Sequence, residues 1–389
     1  MTETTDVSTP AELMKRAQAQ TSLQDFGEDT FREGLELLVA AVDREARLTE
    51  RGRIGFEMQI IDALANRLKI EHWYRLHPEI DEQQIVAPLI GLGLPRTGSS
   101  ALSCMLGEDP AVRSIRNWEA NSPCPPPESA TELTDPRIEI AVKMIARRNE
   151  MFPRKMTMLP SSPTAPTECQ GYMGYDFKSQ LYQAMWQVPS YTQWLNHKAD
   201  LVPTYRYVKR VLKLLQWHCP PNRWRLKNPS NIVFIRALDQ VFPDARYYMT
   251  HRDVSKVIPS VCDLYFEFMR ASSDHVDKGY LGASNSEWCL LGMKRMIEFR
   301  ESGNDHRFHD IQFSAFQKDP LTTIAGLYDF LGEDLTPTAR ARMLAWRESM
   351  PRDKHGEHTY DAADFKIDTT QLREKFRFYS ERFNVAVSA

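Results

Sequence analysis

The run IVAPLIGLGLPRTGSS (85–100) constrains the fold of this chain more than any other stretch. Residues 85–94 are continuously apolar, which suits a strand buried on both faces. A glycine turn follows, and a helix of small residues over 99–107 opens directly from it. Backbone N–H groups in such a turn, and at the start of the helix behind it, form a ready anion site. Thr97, Gly98, Ser99 and Ser100 are its candidate donors, and Arg96 is the cation inside the loop. Set against GxxxxGK[ST], residues 93–100 supply Gly93 and Gly98, but Ser99 stands where the lysine belongs. A nucleoside-triphosphate enzyme needs that lysine at the β- and γ-phosphates. The bland alternative is a glycine turn that merely closes strand onto helix.

Further along, short strand candidates at 223–227 (RWRLK), 245–251 (ARYYMTH) and 309–316 (HDIQFSAF) are each followed by a helical stretch. Strands alternating with helices predict an α/β protein: a P-loop-type three-layer fold around a central, mainly parallel sheet. Residues 11–80 carry apolar positions at three- and four-residue spacing and predict an N-terminal helical region, 1–84, packed on the core. The segment 121–136 is proline-rich and irregular. From 137 to 220 the chain reads as a helical insertion rich in aromatics: Tyr172, Tyr175, Phe177, Tyr182, Trp186, Tyr191, Trp194, Tyr205, Tyr207 and Trp217. These predict a cap over the sheet edge, with some rings lining an apolar pocket and others packing the helices together. Helices near 336–347 and 369–384 close the second region, 85–389.

The formal net charge of −3, from 49 basic and 52 acidic residues, lacks the basic surplus of a nucleic-acid binder. The six cysteines are dispersed with no CxxC pair, which argues against a zinc knuckle and a disulfide framework and for a reducing cytoplasm. The first ten residues are polar and acidic, unlike a signal peptide. The best apolar run, 85–94, is far short of the roughly 20 residues a bilayer demands. No His, Cys, Asp or Glu cluster has metal-ligand spacing, so no metal is expected.

The loop, together with LGEDPAVRSIRNWEANSPCPPP, RWRLKNPSN, FPDARYYMTHRDVSKVIPS and HGEHTYDAADF in that order over roughly 85–385, resembles the sulfotransferase superfamily, in particular its soluble group with a GLPRTGTT-like loop. The resemblance implies a sulfuryl donor, 3′-phosphoadenosine 5′-phosphosulfate (PAPS), whose 5′-phosphosulfate the 96–100 loop would hold. It implies that Arg252 and Ser260 hold the 3′-phosphate, the alternative being a surface pair of Arg252 with Asp253. Phe313 would contact adenine, unless it is an ordinary core residue of its strand. Arg352 and Lys354 would belong to a late basic loop over the 3′-phosphate. Lys227 resembles the lysine set against the donor, and would otherwise be a strand-end lysine in solvent.

In-line sulfuryl transfer relies on positioning and charge stabilisation, so Arg96 and Lys227 are the expected stabilising cations. A base must take the acceptor's proton. Glu119 is the first candidate, the alternative being a solvated helix glutamate or a partner for Arg113 or Arg116. His251, His355 and His358 are its rivals. The expected partner is a small, lipophilic or phenolic hydroxyl acceptor, with no nucleic acid and no membrane span, and a homodimer stays open. The competing readings are a P-loop kinase, a non-catalytic nucleotide-binding module, and a helical interaction protein.

Overall fold

The computed structural model of the chain describes residues 7–151, 154, 161–220, 223–350 and 359–387. Four strands, β1 (Leu89–Gly93), β2 (Arg225–Lys227), β3 (Arg246–His251) and β4 (Phe308–Gln312), form one parallel sheet in the order β2-β1-β3-β4. Successive residues of a strand face opposite sides, and here both sides are covered. Ile90, Leu92, Leu226, Tyr247, Met249 and Phe308 join one core, while Leu89, Tyr248 and Ile311 join another. This is the burial that a parallel sheet demands, and it makes the three layers expected from the strand–helix alternation. Gly91 is part of the fit: a Cβ there would lie 2.1 Å from the Tyr248 ring on the neighbouring strand.

The N-terminal helices α1 (Pro10–Thr21), α2 (Arg32–Glu45) and α3 (Glu50–Leu76) lie where the apolar spacing predicts them. Thr9 and Glu12 cap α1 reciprocally, and Pro10 takes the first helical position, where no N–H is needed. Arg67 on α3 is buried between the rings of Tyr207 and Phe31. Its guanidinium donates to the carbonyls of Phe26, Glu28 and Tyr175, so every element around it is fixed by one cation.

After α4 (Ser99–Leu106) come α5 (Asn117–Asn121) and α6 (Pro136–Met151). The aromatic insertion then folds as α7 (Gln170–Gly174), α8 (Gln180–Met185), α9 (Pro189–His197) and α10 (Val202–Gln216). Beyond β2 follow α11 (Ile235–Val241), α12 (Val254–Met269) and α13 (Lys278–Phe299). The chain ends through α14 (Phe313–Lys318), α15 (Pro320–Leu331), α16 (Pro337–Ser349), α17 (Thr369–Lys375) and α18 (Arg377–Arg382). The larger core runs from Leu13 to Val385, so the first helices and the last share one hydrophobic interior.

Two expectations need correcting. The strand anticipated over 309–316 ends at Gln312, and Phe313 opens α14. The 22-residue α13 was not anticipated, although Leu281, Trp288, Cys289, Met293, Met296 and Phe299 recur on its buried face at three- and four-residue spacing, with Gly282, Asn285 and Gly292 between them. Among the described residues no helix is long and apolar enough to cross a membrane.

Candidate active site

Because the strands are parallel, the residues after β1, β2, β3 and β4 all emerge at one edge of the sheet. The chain goes from β1 to β2 on one side and then crosses to β3 on the other, so the winding reverses at β1, which is where open α/β sheets hold ligands. Register aligns Lys227 with Gly91 and Thr250 with Gly93, so Lys227 and, two residues beyond Thr250, Arg252 step outward along the same edge of the sheet.

The loop itself is tightly wound. Arg96 and Gly98 both adopt positive φ, 62° and 86°. Gly98 then N-caps α4 in the left-handed region, where a side chain is strained. The Thr97 hydroxyl donates to the Leu94 carbonyl at 2.8 Å and pairs with the Thr250 hydroxyl at 2.5 Å, so it braces loop against β3. Ser99 is buried and Ser100 is exposed at the mouth.

Arg96, Ser260 and Arg252 come together although they lie far apart in sequence. Arg96 Nε donates to Ser260 Oγ at 3.1 Å, and Arg252 donates to the Arg96 carbonyl at 2.9 Å. The Arg252 guanidinium lies 4.4 Å above the Phe313 ring. That ring also packs on the loop, since a Cβ on Gly98 would be 3.0 Å from it. Burial, and then the Arg252 cation, pull the Arg96 guanidinium below its ordinary range. Two adjacent guanidiniums beside a serine hydroxyl and a helix N-terminus make a setting in which an anion is favoured. Asp253 faces away, capping α12 and pairing with Arg373 at 2.9 Å, so the surface Arg252–Asp253 pair is not the arrangement found.

Lys227 lies on the other side of the loop. Its Nζ pairs with Glu168 Oε1 at 2.6 Å and stands 3.5 Å from Ser100 Oγ. The lysine is buried while the Glu168 side chain keeps 30% exposure, so the pair opens to solvent through the carboxylate. Gln170 steadies the second carboxylate oxygen at 2.7 Å. Sequence reasoning missed Glu168. Its only signal is an acidic residue just ahead of the aromatic insertion, and no spacing rule links it to a lysine 59 positions on.

Glu119 lies sealed in the fold instead of open at the sheet edge. It is fully buried, one oxygen held by Arg113 at 2.6 Å and the other by the Arg116 amide at 3.0 Å. The alternative of an arginine partner is what the fold realises. His251 is likewise not poised as a base. It is buried, with Nε2 on Asp310 at 2.8 Å and Nδ1 on the Tyr379 hydroxyl at 3.3 Å. Burial lowers its pKa, against the pull of Asp310. His355, His358, Arg352 and Lys354 lie outside the described residues.

The cap aromatics answer mostly to packing. Tyr172, Tyr175, Phe177, Tyr182, Trp186, Tyr191, Trp194, Tyr205 and Tyr207 are all buried, and Trp217 is half-buried. Tyr182 stacks on Phe177 and Trp186, a ladder of rings that glues the short helices together. The half-buried ring tied to the site is Tyr265 on α12, whose phenol is pushed up by burial and by the Glu168 charge.

A model of the sulfotransferase family matches residues 88–337. Among solved structures, sulfotransferase STF9 from Mycobacterium avium is 31% identical, with a TM-score of 0.91 and 98% of each chain covered. Sulfotransferase STF1 from Mycobacterium tuberculosis is 29% identical, with a TM-score of 0.81, 95% of this chain and 99% of that one covered. No curated protein sequence matches the chain.

Proposed function

The chain belongs to the sulfotransferase family, and from that premise we propose that it moves a sulfuryl group from PAPS to the hydroxyl of a small acceptor. The observation that carries this reading is the convergence of Arg96, Arg252 and Ser260 at one end of the sheet, with Lys227 and Glu168 beside it. Backbone N–H groups of Thr97 to Ser100 and the α4 N-terminus suit the 5′-phosphosulfate. Arg252 and Ser260 suit the 3′-phosphate, and Phe313, under Arg252, suits the edge of adenine. Lys354 keeps its expected part in donor binding as a proposal from sequence alone.

In the reaction, the acceptor oxygen forms a bond to sulfur while the bond from sulfur to the donor's phosphate oxygen breaks, leaving 3′,5′-adenosine bisphosphate. Lys227 and Arg96 supply positive charge for the leaving oxygen. Glu168 takes the acceptor's proton, the role expected of Glu119. It is the carboxylate that combines contact with Lys227 and access to solvent, whereas the Glu119 carboxylate is sealed. A lipophilic or phenolic acceptor stays a proposal from the aromatic content of the 137–220 insertion alone. Reducing conditions suit the six thiols, all unpaired, and a cytoplasmic setting is proposed on that ground.

Calorimetric titration with 3′,5′-adenosine bisphosphate, ADP and ATP tests the donor. Preference for the bisphosphate, lost in Arg252→Ala, is the expected result. Preference for ATP, or indifference to Arg252, overturns it in favour of a kinase. Arg96→Ala is expected to lose at least about 10²-fold in turnover, the size of one preorganised donor.

A further inference from the structure

The sequence matched by the family ends at residue 337, yet the last 30 residues of the described chain grip the segment that carries Arg252. Tyr379 on α18 is fully buried, with its hydroxyl 3.3 Å from His251 Nδ1 and 3.4 Å from the Arg252 amide nitrogen. Arg373 on α17 donates to Asp253 Oδ2 and to Ser255 Oγ, both at 2.9 Å. Phe383 stacks on the His251 ring at 4.4 Å, and its carbonyl accepts from Gln312 at the end of β4 at 2.7 Å. Three side chains from one C-terminal stretch therefore meet three consecutive residues, 251 to 253, at the tip of β3.

The proton positions follow from the partners. Arg300 holds both oxygens of Asp310, at 2.8 and 2.7 Å, so that carboxylate is an acceptor. Asp310 then takes the His251 Nε2–H, which leaves Nδ1 as the acceptor of a neutral imidazole. The Tyr379 hydroxyl donates to Nδ1, and its oxygen is free to accept the Arg252 N–H. A directed chain of donors runs from the Arg252 N–H through Tyr379 and His251 to Asp310, where Arg300 donates from the other side. Buried chains of this kind fix geometry because each member is costly to leave unpaired.

We propose that Tyr379 and Arg373 are positioning residues for the donor's 3′-phosphate: they fix the backbone of Arg252 and Asp253, and through it the aim of the Arg252 guanidinium. The assignment rests on the reading of Arg252 as a 3′-phosphate ligand. It extends the donor site to a part of the chain that touches no donor atom and lies beyond the matched family segment.

The experiment is calorimetric titration of wild type, Tyr379→Phe, Arg373→Gln and Arg373→Lys with 3′,5′-adenosine bisphosphate and with 5′-AMP, which lacks the 3′-phosphate. Tyr379→Phe keeps the ring and removes one neutral hydrogen-bonding group, so the bisphosphate binds about 3- to 10-fold more weakly. Binding of 5′-AMP holds, and the donor KM rises by the same factor with kcat unchanged. Arg373→Gln loses up to about fivefold, because the pair is 36% open on the arginine side. Arg373→Lys recovers most of that loss. Equal weakening of both nucleotides, or no weakening, reduces the two residues to structural supports and overturns the assignment. A wild-type protein that binds the two nucleotides alike overturns the donor reading itself, and that failure is read from wild type before any variant is compared.

Discussion

Lys227–Glu168 and Arg113–Glu119 are both closed at 2.6 Å, yet the first leaves its carboxylate 30% exposed and the second seals it at 0%. Arg113 also reaches Glu132 and the Leu215 carbonyl, so the cation is held from several sides. Lys227 has Glu168 on one side and Ser100 of the phosphate loop on the other. Distance alone does not separate structural from chemical ion pairs. A carboxylate with no route to solvent cannot receive a proton from an incoming hydroxyl, and one at a cleft mouth can.

The contrast breaks most sharply under paired isosteric substitutions. Glu168→Gln is expected to cut turnover by about 10²- to 10⁴-fold, the range for a lost general base. Its thermal stability should fall by less than in the sealed pair, because the carboxylate being neutralised is 30% exposed even though Lys227 is buried. Steady-state rates at saturating donor, with a melting curve alongside, read both quantities. If Glu168→Gln turns over normally, the open pair is only an ion pair and the base must be sought elsewhere.

Glu119→Gln probes the sealed partner. Removing one charge from a buried pair leaves Arg113 with only the more distant and partly exposed Glu132 as counter-charge, and is expected to cost about 3 kcal/mol of folding stability. Denaturant unfolding measures this directly. The fraction that remains folded should bind 3′,5′-adenosine bisphosphate with unchanged affinity. A variant as stable as wild type but inactive would reverse the two roles.

These two glutamates also mark how far the sequence can be read. The loop at 91–100 announces itself because strand, turn and helix are contiguous and only glycine tolerates the turn at Gly98. Arg252 and Lys227 are legible because each directly ends a recognisable strand, so its place at the sheet edge follows from topology. Glu168 and Tyr379 owe their positions to chain segments that return from elsewhere, over 59 and 127 residues. No periodicity encodes such a return. Glu119 failed for a related reason: Trp118 and the proline run next to it signalled burial correctly, but whether burial ends in a cleft or in an arginine cage depends on Arg113 and its setting. The aromatic insertion was legible as a cap and not as a pocket, because buried rings and pocket-lining rings obey the same spacing.

A third carboxylate, Asp310, sharpens the comparison at a smaller scale. It is one-third exposed like Glu168, yet caged by Arg300 and His251. Burial works to raise its pKa, but Arg300 and then His251 more than offset this and hold it far below the ordinary 3.8. Its contribution is present above that ordinary value and is lost as pH falls below it. His251 departs in the same direction, burial holding it neutral below the usual 6.5. The unfolded chain takes up that proton first, so stability is fully present above about pH 6.5 and falls as acid is added. Melting curves of wild type and His251→Gln between pH 7.5 and 5 isolate this term, since Arg300, Asp310 and Tyr379 keep their charge states across that window and the nearby His309 is present in both. The variant is less stable at pH 7.5, but its slope is shallower by up to about 1.4 kcal/mol per pH unit, the limit for one proton. Parallel slopes would mean that His251 titrates alike in the folded and unfolded chains, and a steeper slope in the variant would mean that His251 carries its proton in the folded state. In that second case Nδ1 would donate to the Tyr379 oxygen, which the Arg252 N–H also reaches, and the caged carboxylate would balance two cations instead of one.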